Sequence, residues 1–495
     1  MALVEIKPPA GFHNHGTDLE SEGRWRDGNL VRWHEGSLRP IRGWAARNAS
    51  AEYNAAPRGM LAWQDNSLSR WVAAGTYNKL YVTTSGGTTS DITPAGLTAG
   101  VEDAAVNTGY GGGYYGTGYY GQARPDTGNY GEATTWALDT WGQYLVACSS
   151  ADGKLYEWQL NTGTPAAVIA NAPTDNLGLI VTEERFLFAL GAGGNPRKVQ
   201  WCDFEDNTLW TPASTNQAGD QLLQTSGQIM CAARTQGQTL VVTDQDAHRA
   251  VYVGAPFIFQ WERVGTACGA VARKAIADTA GGVYWMGQRG FYYYDGSRVQ
   301  EVPCPVWDRV FLNINSAQVT KSWAVANGQN GEVWFFYPSA NSTEIDSYVA
   351  YDFHDGHWLV GSIDRTSGVD RGIFRQPVWA SSAGRLYDHE NGFNYDGAEV
   401  YAESGPFRIG AGDNLAAVTK LVPDEINLGD VTATFKTRLY PTADEASHGP
   451  YTMGNPTSVR FQGRQIRMRL SGNVGGDWRV GKFRFDVKLK PAGRR

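Results

Sequence analysis

Helical periodicity is nearly absent from this sequence. No long run places apolar residues three and four positions apart between capping residues, so we expect few helices. No apolar run approaches the ~18 residues of a membrane-spanning helix, and no membrane insertion is expected. The opening MALVEIKPPAGFHNHG lacks a basic region followed by an apolar stretch, so we expect no secretory signal.

Cysteine is scarce and scattered. The chain has five cysteines in 495 residues, an odd number, and no CxxC pair that would indicate zinc or redox chemistry. Most lie beside apolar residues, as Cys148 does in LVACSS and Cys231 does in IMCAAR, which predicts buried free thiols. This usage favours a protein made in a reducing cytoplasm.

Familiar catalytic motifs are also missing. The sequence contains no GxSxG, HExxH or GxxxxGK[ST], and nothing pairs its many carboxylates as a glycosidase requires. The HNH at 13–15 is too short for a nuclease site. Asp355-Gly356 between aromatic strands predicts a hairpin turn, with His354 and His357 flanking an exposed loop. We therefore expect a protein that is not an enzyme, with no catalytic residue, no metal and no cofactor.

The sequence does contain a repeated strand–turn–strand pattern. An apolar strand, a turn with Gly, Asn or Asp, and a strand with a central aromatic recur along the chain. The central aromatics are Tyr81, Tyr156, Trp201, Tyr252, Tyr293, Tyr351 and Tyr387. A period of about 40–50 residues with several strands each is typical of propeller blades. The pattern predicts an all-β fold with a β-propeller of six or seven blades over residues 51–425; a pair of β-sandwiches is the alternative.

The two ends of the chain have a different pattern. Residues 1–50 predict an extended N-terminal arm with a short strand pair, in which Trp33 and Leu38 flank a Glu-Gly turn. Residues 426–495 predict a small C-terminal β-unit, because RQIRMRL and KFRFDVKLK alternate apolar with mostly basic residues. We predict that the basic side contacts a partner through Arg467, Arg469, Arg484 and Lys488; a solvated face is the alternative.

The net charge of −7 conceals an asymmetry. Residues 460–495 hold eleven Lys/Arg and two Asp/Glu, whereas residues 1–459 carry a formal net charge of −16. The acidic part is expected to bind nucleic acid poorly, and the basic end to seek an anionic surface. The acidic part of another copy is one such surface if copies assemble side by side.

A Gly/Tyr-rich insertion interrupts the predicted propeller at about 100–135. Its core, NTGYGGGYYGTGYYGQARPDTGNYG (107–131), contains Arg124 as its only cation. Glycine permits positive φ, and tyrosine supplies amphipathic contact area with few rotatable bonds. We predict a loop ordered by contact with a neighbouring protein; a passive disordered loop is the alternative. The predicted contact residues are Tyr110, Tyr114, Tyr115, Tyr119 and Tyr120.

One segment resembles a known family. DGNLVRWHEGSLRPIRGW (27–44) is similar to the opening of tail nozzle proteins of short-tailed phages, also called tail tubular protein B or packaged-DNA stabilisation proteins. The late SYVAYDFHDGHWLV (347–360) resembles a strand–turn–Trp element of the same family. The motifs are short, while the order of parts covers most of the chain. The matching early positions are Asn29, Val31, Arg32, Trp33, Pro40, Gly43 and Trp44.

The resemblance implies a structural protein of the virion tail, assembled in the host cytoplasm. The implied assembly is a homohexameric ring below a head–tail adaptor protein, carrying a tail fibre or needle protein. The ring would retain packaged double-stranded DNA and conduct it at ejection without sequence-specific binding. Arg32 and Trp33 are then expected at a subunit or partner interface. The alternative is a propeller that binds or cleaves host surface glycans, since aromatic side chains can stack on sugars.

Overall fold

The computed structural model describes residues 2–104, 131–409, 414–426, 429–441, 443–472 and 475–490. Nearly all regular structure in this part is β-strand, so the all-β prediction is confirmed. None of its helices is long and apolar enough to cross a membrane. The helical elements are the α-helix Trp307–Phe311 and the 3-10 turns Asp18–Ser21, Ala192–Gly194 and Val319–Lys321.

Seven four-stranded antiparallel sheets form a seven-bladed β-propeller. The first strands of successive blades contact one another around a closed ring. Blade 1 consists of Met60–Gln64, Arg70–Gly75, Leu80–Thr84 and Thr89–Asp91, and blade 2 of Trp136–Trp141, Tyr144–Ser149, Leu155–Trp158 and Ala167–Val168. Blade 3 consists of Gly178–Val181, Leu187–Leu190, Lys198–Trp201 and Gly219–Leu222, and blade 4 of Ile229–Thr235, Gln238–Thr243, Asp246–Gly254 and Ile258–Thr266. Blade 5 consists of Ile276–Thr279, Gly282–Met286, Phe291–Tyr294 and Val299–Val302, and blade 6 of Trp323–Asn327, Glu332–Tyr337, Ser347–Asp352 and His357–Ser362. Blade 7 consists of Ser367–Val369, Val378–Ala380, Leu386–His389 and Trp44–Ala46.

The predicted hairpins are the middle two strands of the blades. All seven central aromatics lie on the third strand of a blade, from Tyr81 in blade 1 to Tyr387 in blade 7. The second strands are buried along their whole length in several blades, as in Leu187–Leu190, because blades pack on both of their faces. The prediction of six or seven blades is confirmed, and the number is seven.

The N-terminal part of the chain closes the propeller. Trp44–Ala46 is the fourth strand of blade 7 and pairs antiparallel with Leu386–His389. The first strand of the same blade, Ser367–Val369, contacts the first strand of blade 1. Ring closure therefore joins segments more than 300 positions apart.

Both chain ends build a β-sandwich outside the propeller. The six-stranded sheet contains Val31–His34, Ser37–Pro40, Arg479–Lys490, Leu415–Ile426 and Thr457–Gly463 in that order, with Ala2–Ile6 also paired to Arg479–Lys490. The five-stranded sheet has the order Trp25–Asn29, Val400–Ser404, Gln465–Gly472, Val431–Arg438, Ala446–Thr452.

Aromatic side chains fill the space between the two sheets. The Phe435 ring of the five-stranded sheet lies 4.5 Å from the Phe461 ring and 5.8 Å from the Phe485 ring of the six-stranded sheet. Met468 and Leu470 are fully buried beside them. Period-two alternation thus directs one side of each strand into a common core.

The structure divides the chain differently from the predicted boundaries. The N-terminal arm is extended, and Trp33 pairs with Leu38 across its turn as expected. It is not a separate part, however, because its strands belong to both sandwich sheets and to blade 7. The C-terminal unit begins at Val400 instead of residue 426, since Val400–Ser404 and Leu415–Ile426 pair with sandwich strands and not with a blade.

Candidate docking face

The strand Arg479–Lys490 gives the six-stranded sheet a charged outer side. Phe483 and Phe485 are fully buried in the sandwich core, while Lys482, Arg484 and Lys488 are exposed. This alternation is the one expected for a strand with one face in a core and the other in water.

Neighbouring strands extend the charged surface. Lys420 and Arg460 are exposed on the adjacent strands, and Lys490 is exposed at the end of the central one. Exposed carboxylates on these strands are those of Glu5 and Asp424. We define the basic face as Lys420, Arg460, Lys482, Arg484, Lys488 and Lys490.

The basic face is largely unpaired. Lys482 Nζ lies 2.8 Å from the Glu5 carboxylate. The other five cations form no ion pair with any residue that the structure describes. Excess positive charge on an exposed sheet favours contact with an anionic surface.

The cations on the five-stranded sheet have different surroundings. Arg467 forms an ion pair with the carboxylate of Asp18, which also pairs with Arg26 and Arg438. Arg469 lies 2.8 Å from Glu399 and 3.2 Å from Glu403. Its guanidinium also lies 3.6 Å from the ring centroid of Tyr401.

The single basic face predicted from the sequence is therefore wrong for two of its four residues. The strands Gln465–Gly472 and Arg479–Lys490 belong to opposite sheets, so their polar sides point away from each other. Arg467 and Arg469 are held in ion pairs within the chain, whereas Arg484 and Lys488 remain available on the basic face. Alternation in each strand was readable from the sequence, but the sheet to which each belongs was not.

Arg32 and Trp33 also differ from the prediction of an exposed interface. The Arg32 guanidinium lies 3.0 Å from Glu332 of blade 6 and 2.6 Å from Glu390, which follows blade 7. Trp33 is 4% exposed and packs edge-on against Phe12 at 4.9 Å. Both residues fix the sandwich on the propeller and are too buried to contact another chain.

The buried ion-pair cluster at Arg32 contains one cation for two carboxylates. Burial raises the pKa of Glu332 to about 7, and the nearby Arg32 guanidinium only partly opposes that shift. Glu332 also accepts hydrogen bonds from Trp334 and Asn327. The pair of carboxylates thus shares one guanidinium and a set of neutral donors.

The five predicted contact tyrosines, Tyr110 to Tyr120, lie outside the described residues. The chain enters and leaves this segment at one place, because Thr134 Oγ1 accepts the Val101 N–H at 2.9 Å and Val101 O accepts the Thr134 N–H at 3.0 Å. That place lies between blades 1 and 2, where the sequence put the insertion.

Charged side chains from different blades also meet in the propeller. Asp139 of blade 2 accepts hydrogen bonds from Arg234 of blade 4 at 3.2 Å and from the Val181 N–H of blade 3 at 2.8 Å. Burial raises the pKa of Asp139 and lowers that of Lys274, which precedes the first strand of blade 5. The sequence did not indicate this cluster, because its members are isolated charged residues far apart along the chain.

A group of possible metal ligands lies in blade 6. Asp352, Asp355 and His357 each place a ligand atom within 4.8 Å of the other two. The hairpin predicted here is confirmed, but only His354 is exposed, and His357 is buried. Burial lowers the pKa of His357 and favours its neutral form.

No protein-family model and no curated protein match this chain. Solved structures similar to it include virginiamycin B lyase from Staphylococcus aureus, with 9% identity and a TM-score of 0.43 over 70% of this chain and 98% of that one. The WD40 domain of Pan2 from Neurospora crassa has 8% identity and a TM-score of 0.39 over 71% of this chain and 96% of that one. The WD40 β-propeller domain of Doa1 has 8% identity and a TM-score of 0.40 over 70% and 97%.

The expectation that this chain is not an enzyme needs correction. A lyase is among the propellers that resemble it, so an all-β propeller does not exclude catalysis. At this level of identity the likeness concerns the fold alone and assigns no reaction to this chain.

Proposed function

We propose that this chain is a subunit of the tail nozzle of a short-tailed phage. It would form a homohexameric ring in the virion tail, assembled in the host cytoplasm below the head–tail adaptor protein. The ring would contact a tail fibre or needle protein, retain the packaged DNA and conduct it at ejection without reading its sequence.

The segment that carries the family resemblance supports this proposal, since it links the two parts of the molecule. Asn29 Oδ1 accepts the Ser362 N–H of blade 6 at 2.9 Å, and Asn29 Nδ2 donates to the Glu399 carbonyl at 2.9 Å. A Cβ on Gly43 would lie 2.2 Å from the Asn394 carbonyl oxygen. Trp44 Nε1 donates to Asp396 at 2.7 Å. These contacts join the propeller to the sandwich. The motif is therefore suited to a chain that has both parts, and not to β-propellers in general.

The distribution of charge is the observation that carries the proposal. Residues 44–398 hold 22 Lys/Arg and 34 Asp/Glu, a formal net charge of −12. The basic face lies outside this acidic segment and is almost free of intrachain ion pairs. Opposite charges on separate parts of one chain favour side-by-side association of copies, with the basic face of one on the acidic propeller of the next.

The acidic propeller also suits a conduit for DNA. Each phosphate–cation contact adds about one unit to the salt dependence of DNA affinity, so a basic lining would hold the genome that has to leave. An acidic body repels phosphates and lets the duplex slide, while the basic face serves protein contacts.

Electron microscopy of the purified protein, alone and with its adaptor protein, tests the proposal. A six-fold ring with a central channel that stacks on the adaptor is the expected result. A monomer that ignores the adaptor and retains or cleaves host polysaccharide would contradict it and favour the glycan-directed alternative.

A further inference from the structure

The hairpin at the outer edge of blade 6 brings three potential metal ligands together. Asp352 and His357 are paired residues at the two sides of the turn, and Asp355 lies at its tip. Their ligand atoms all lie within 4.8 Å of one another. The turn therefore holds two carboxylates and one imidazole close together.

The two oxygens of Asp352 have different roles. Oδ1 accepts the backbone N–H groups of His354 at 2.9 Å and Asp355 at 3.0 Å, which fixes the carboxylate in the turn. Oδ2 lies 3.7 Å from Nε2 of His357, too far for a hydrogen bond. Two ligands about 2.1 Å from a tetrahedral ion are about 3.4 Å apart, so the observed spacing is close to that of two ligands on one metal.

The surroundings of His357 are a second, independent indication that a ligand binds in this turn. Its side chain is 7% exposed, and neither ring nitrogen has a hydrogen-bond partner among the described residues. The Trp33 ring packs edge-on against it at 5.6 Å, and a Cβ on Gly11 would lie 2.6 Å from the His357 Cβ. A buried imidazole confined in this way and lacking partners is costly unless something binds it.

We propose that Asp352, Asp355 and His357 bind a divalent transition-metal ion. One nitrogen and two carboxylate ligands suit Zn²⁺, whereas Mg²⁺ and Ca²⁺ prefer oxygen ligands throughout. A cavity of about 330 Å³, lined in part by Asp352, Asp355 and Glu332, adjoins the two carboxylates of the group and leaves room for a water molecule as fourth ligand. The ion would hold the blade 6 hairpin in the position where Gly11 and Trp33 pack on it. This site stands independently of the nozzle proposal.

Isothermal titration with Zn²⁺ tests the site on full-length protein freed of metal by EDTA and dialysis. One ion per chain is expected, together with a rise in Tm. Asp355→Asn, at an exposed position, should weaken Zn²⁺ binding at least about tenfold, because losing even an outer partner of a ligand costs about 10–100-fold. His354→Gln is the matched control, since His354 is in the same turn but outside the group.

The two variants make the outcome decisive. Normal Zn²⁺ affinity in Asp355→Asn would overturn the proposal, as would absence of Zn²⁺ binding to the wild type. Equal losses in Asp355→Asn and His354→Gln would also overturn it, because they would place the ion elsewhere in the turn. The proposal would be supported if His354→Gln kept full Zn²⁺ affinity and the rise in Tm, while Asp355→Asn lost both.

Discussion

The guanidinium of Arg32 lies 2.6 Å from the carboxylate of Glu390, in an ion pair that is buried on both sides. Arg32 belongs to the N-terminal hairpin of the sandwich, and Glu390 directly follows the third strand of blade 7. The same guanidinium lies 3.0 Å from Glu332 in blade 6. One cation thus joins the sandwich to two blades.

Replacing Arg32 should destabilise the whole molecule. Arg32→Ala leaves two buried carboxylates without their cation, and removal of one partner of a buried pair typically costs about 3–5 kcal/mol. Urea denaturation measures the change. The exposed pair Lys79–Asp91, with a separation of 2.7 Å, provides the control, and Lys79→Ala should cost less than about 1 kcal/mol. Equal effects of both substitutions would contradict the junction role of Arg32.

Stability should depend on the protonation of Glu332. Its folded-state pKa of about 7 lies above the ordinary 4.5, so the folded protein holds a proton that the unfolded chain has lost. The stabilisation is complete below pH 4.5 and is lost as pH rises through 7. The stability of Glu332→Gln relative to wild type should therefore increase by about 3 kcal/mol between pH 4.5 and 7. Denaturation curves for both proteins across this range measure it; a difference that stays constant with pH would contradict the raised pKa.

The propeller could be predicted from the sequence because the patterns of its middle strands are easy to recognise. These strands have local patterns, such as the aromatic Tyr156 after an apolar strand and a Gly turn, and each hairpin forms between neighbouring segments. The outer strands have no clear hydrophobic pattern. The strand Ala167–Val168, for example, has only two residues, and both are exposed. The closing strand Trp44–Ala46 pairs with a segment far along the chain, and no local pattern specifies such a partner.

The candidate docking face was predictable only in part. The alternation in Arg479–Lys490 correctly identified Arg484 and Lys488 as exposed. The same reasoning failed for Arg467, because nothing in its own strand reveals that Asp18, nearly 450 positions earlier, lies against it. The burial of His357 was likewise not predictable, since the contacts with Gly11 and Trp33 depend on segments far away in the sequence.

Charge reversal on the basic face should block assembly without unfolding the subunit. Arg484→Glu combined with Lys488→Glu changes two exposed side chains with no described ion pair, so the Tm should stay near that of wild type. Ring formation should be lost, because the new carboxylates would face the acidic propeller of the next copy. Size-exclusion chromatography with light scattering measures the assembly. Arg70→Glu, at an exposed position of blade 1, is the control and should leave the ring intact.

The opposite pattern is expected for Arg467. Arg467→Glu would place a carboxylate against Asp18 and near Glu445, in a cluster that is mostly buried. Loss of a hydrogen bond between charged groups costs about 1.5–3 kcal/mol, and repulsion adds to it, so the folded subunit itself should lose stability. A stable Arg467→Glu monomer that merely fails to assemble would show that the two sandwich faces have been assigned the wrong roles.

Carbodiimide cross-linking between isotopically distinct subunits tests the central claim most directly. Rings are assembled from equal parts of ¹⁴N-labelled and ¹⁵N-labelled protein, and lysine–carboxylate links are identified by mass spectrometry. The account predicts mixed-isotope links from Lys420 or Lys488 to Asp or Glu residues within 44–398 of another copy. Rings whose Lys420 and Lys488 link only within their own chain, or to no carboxylate of a neighbouring propeller, would contradict it.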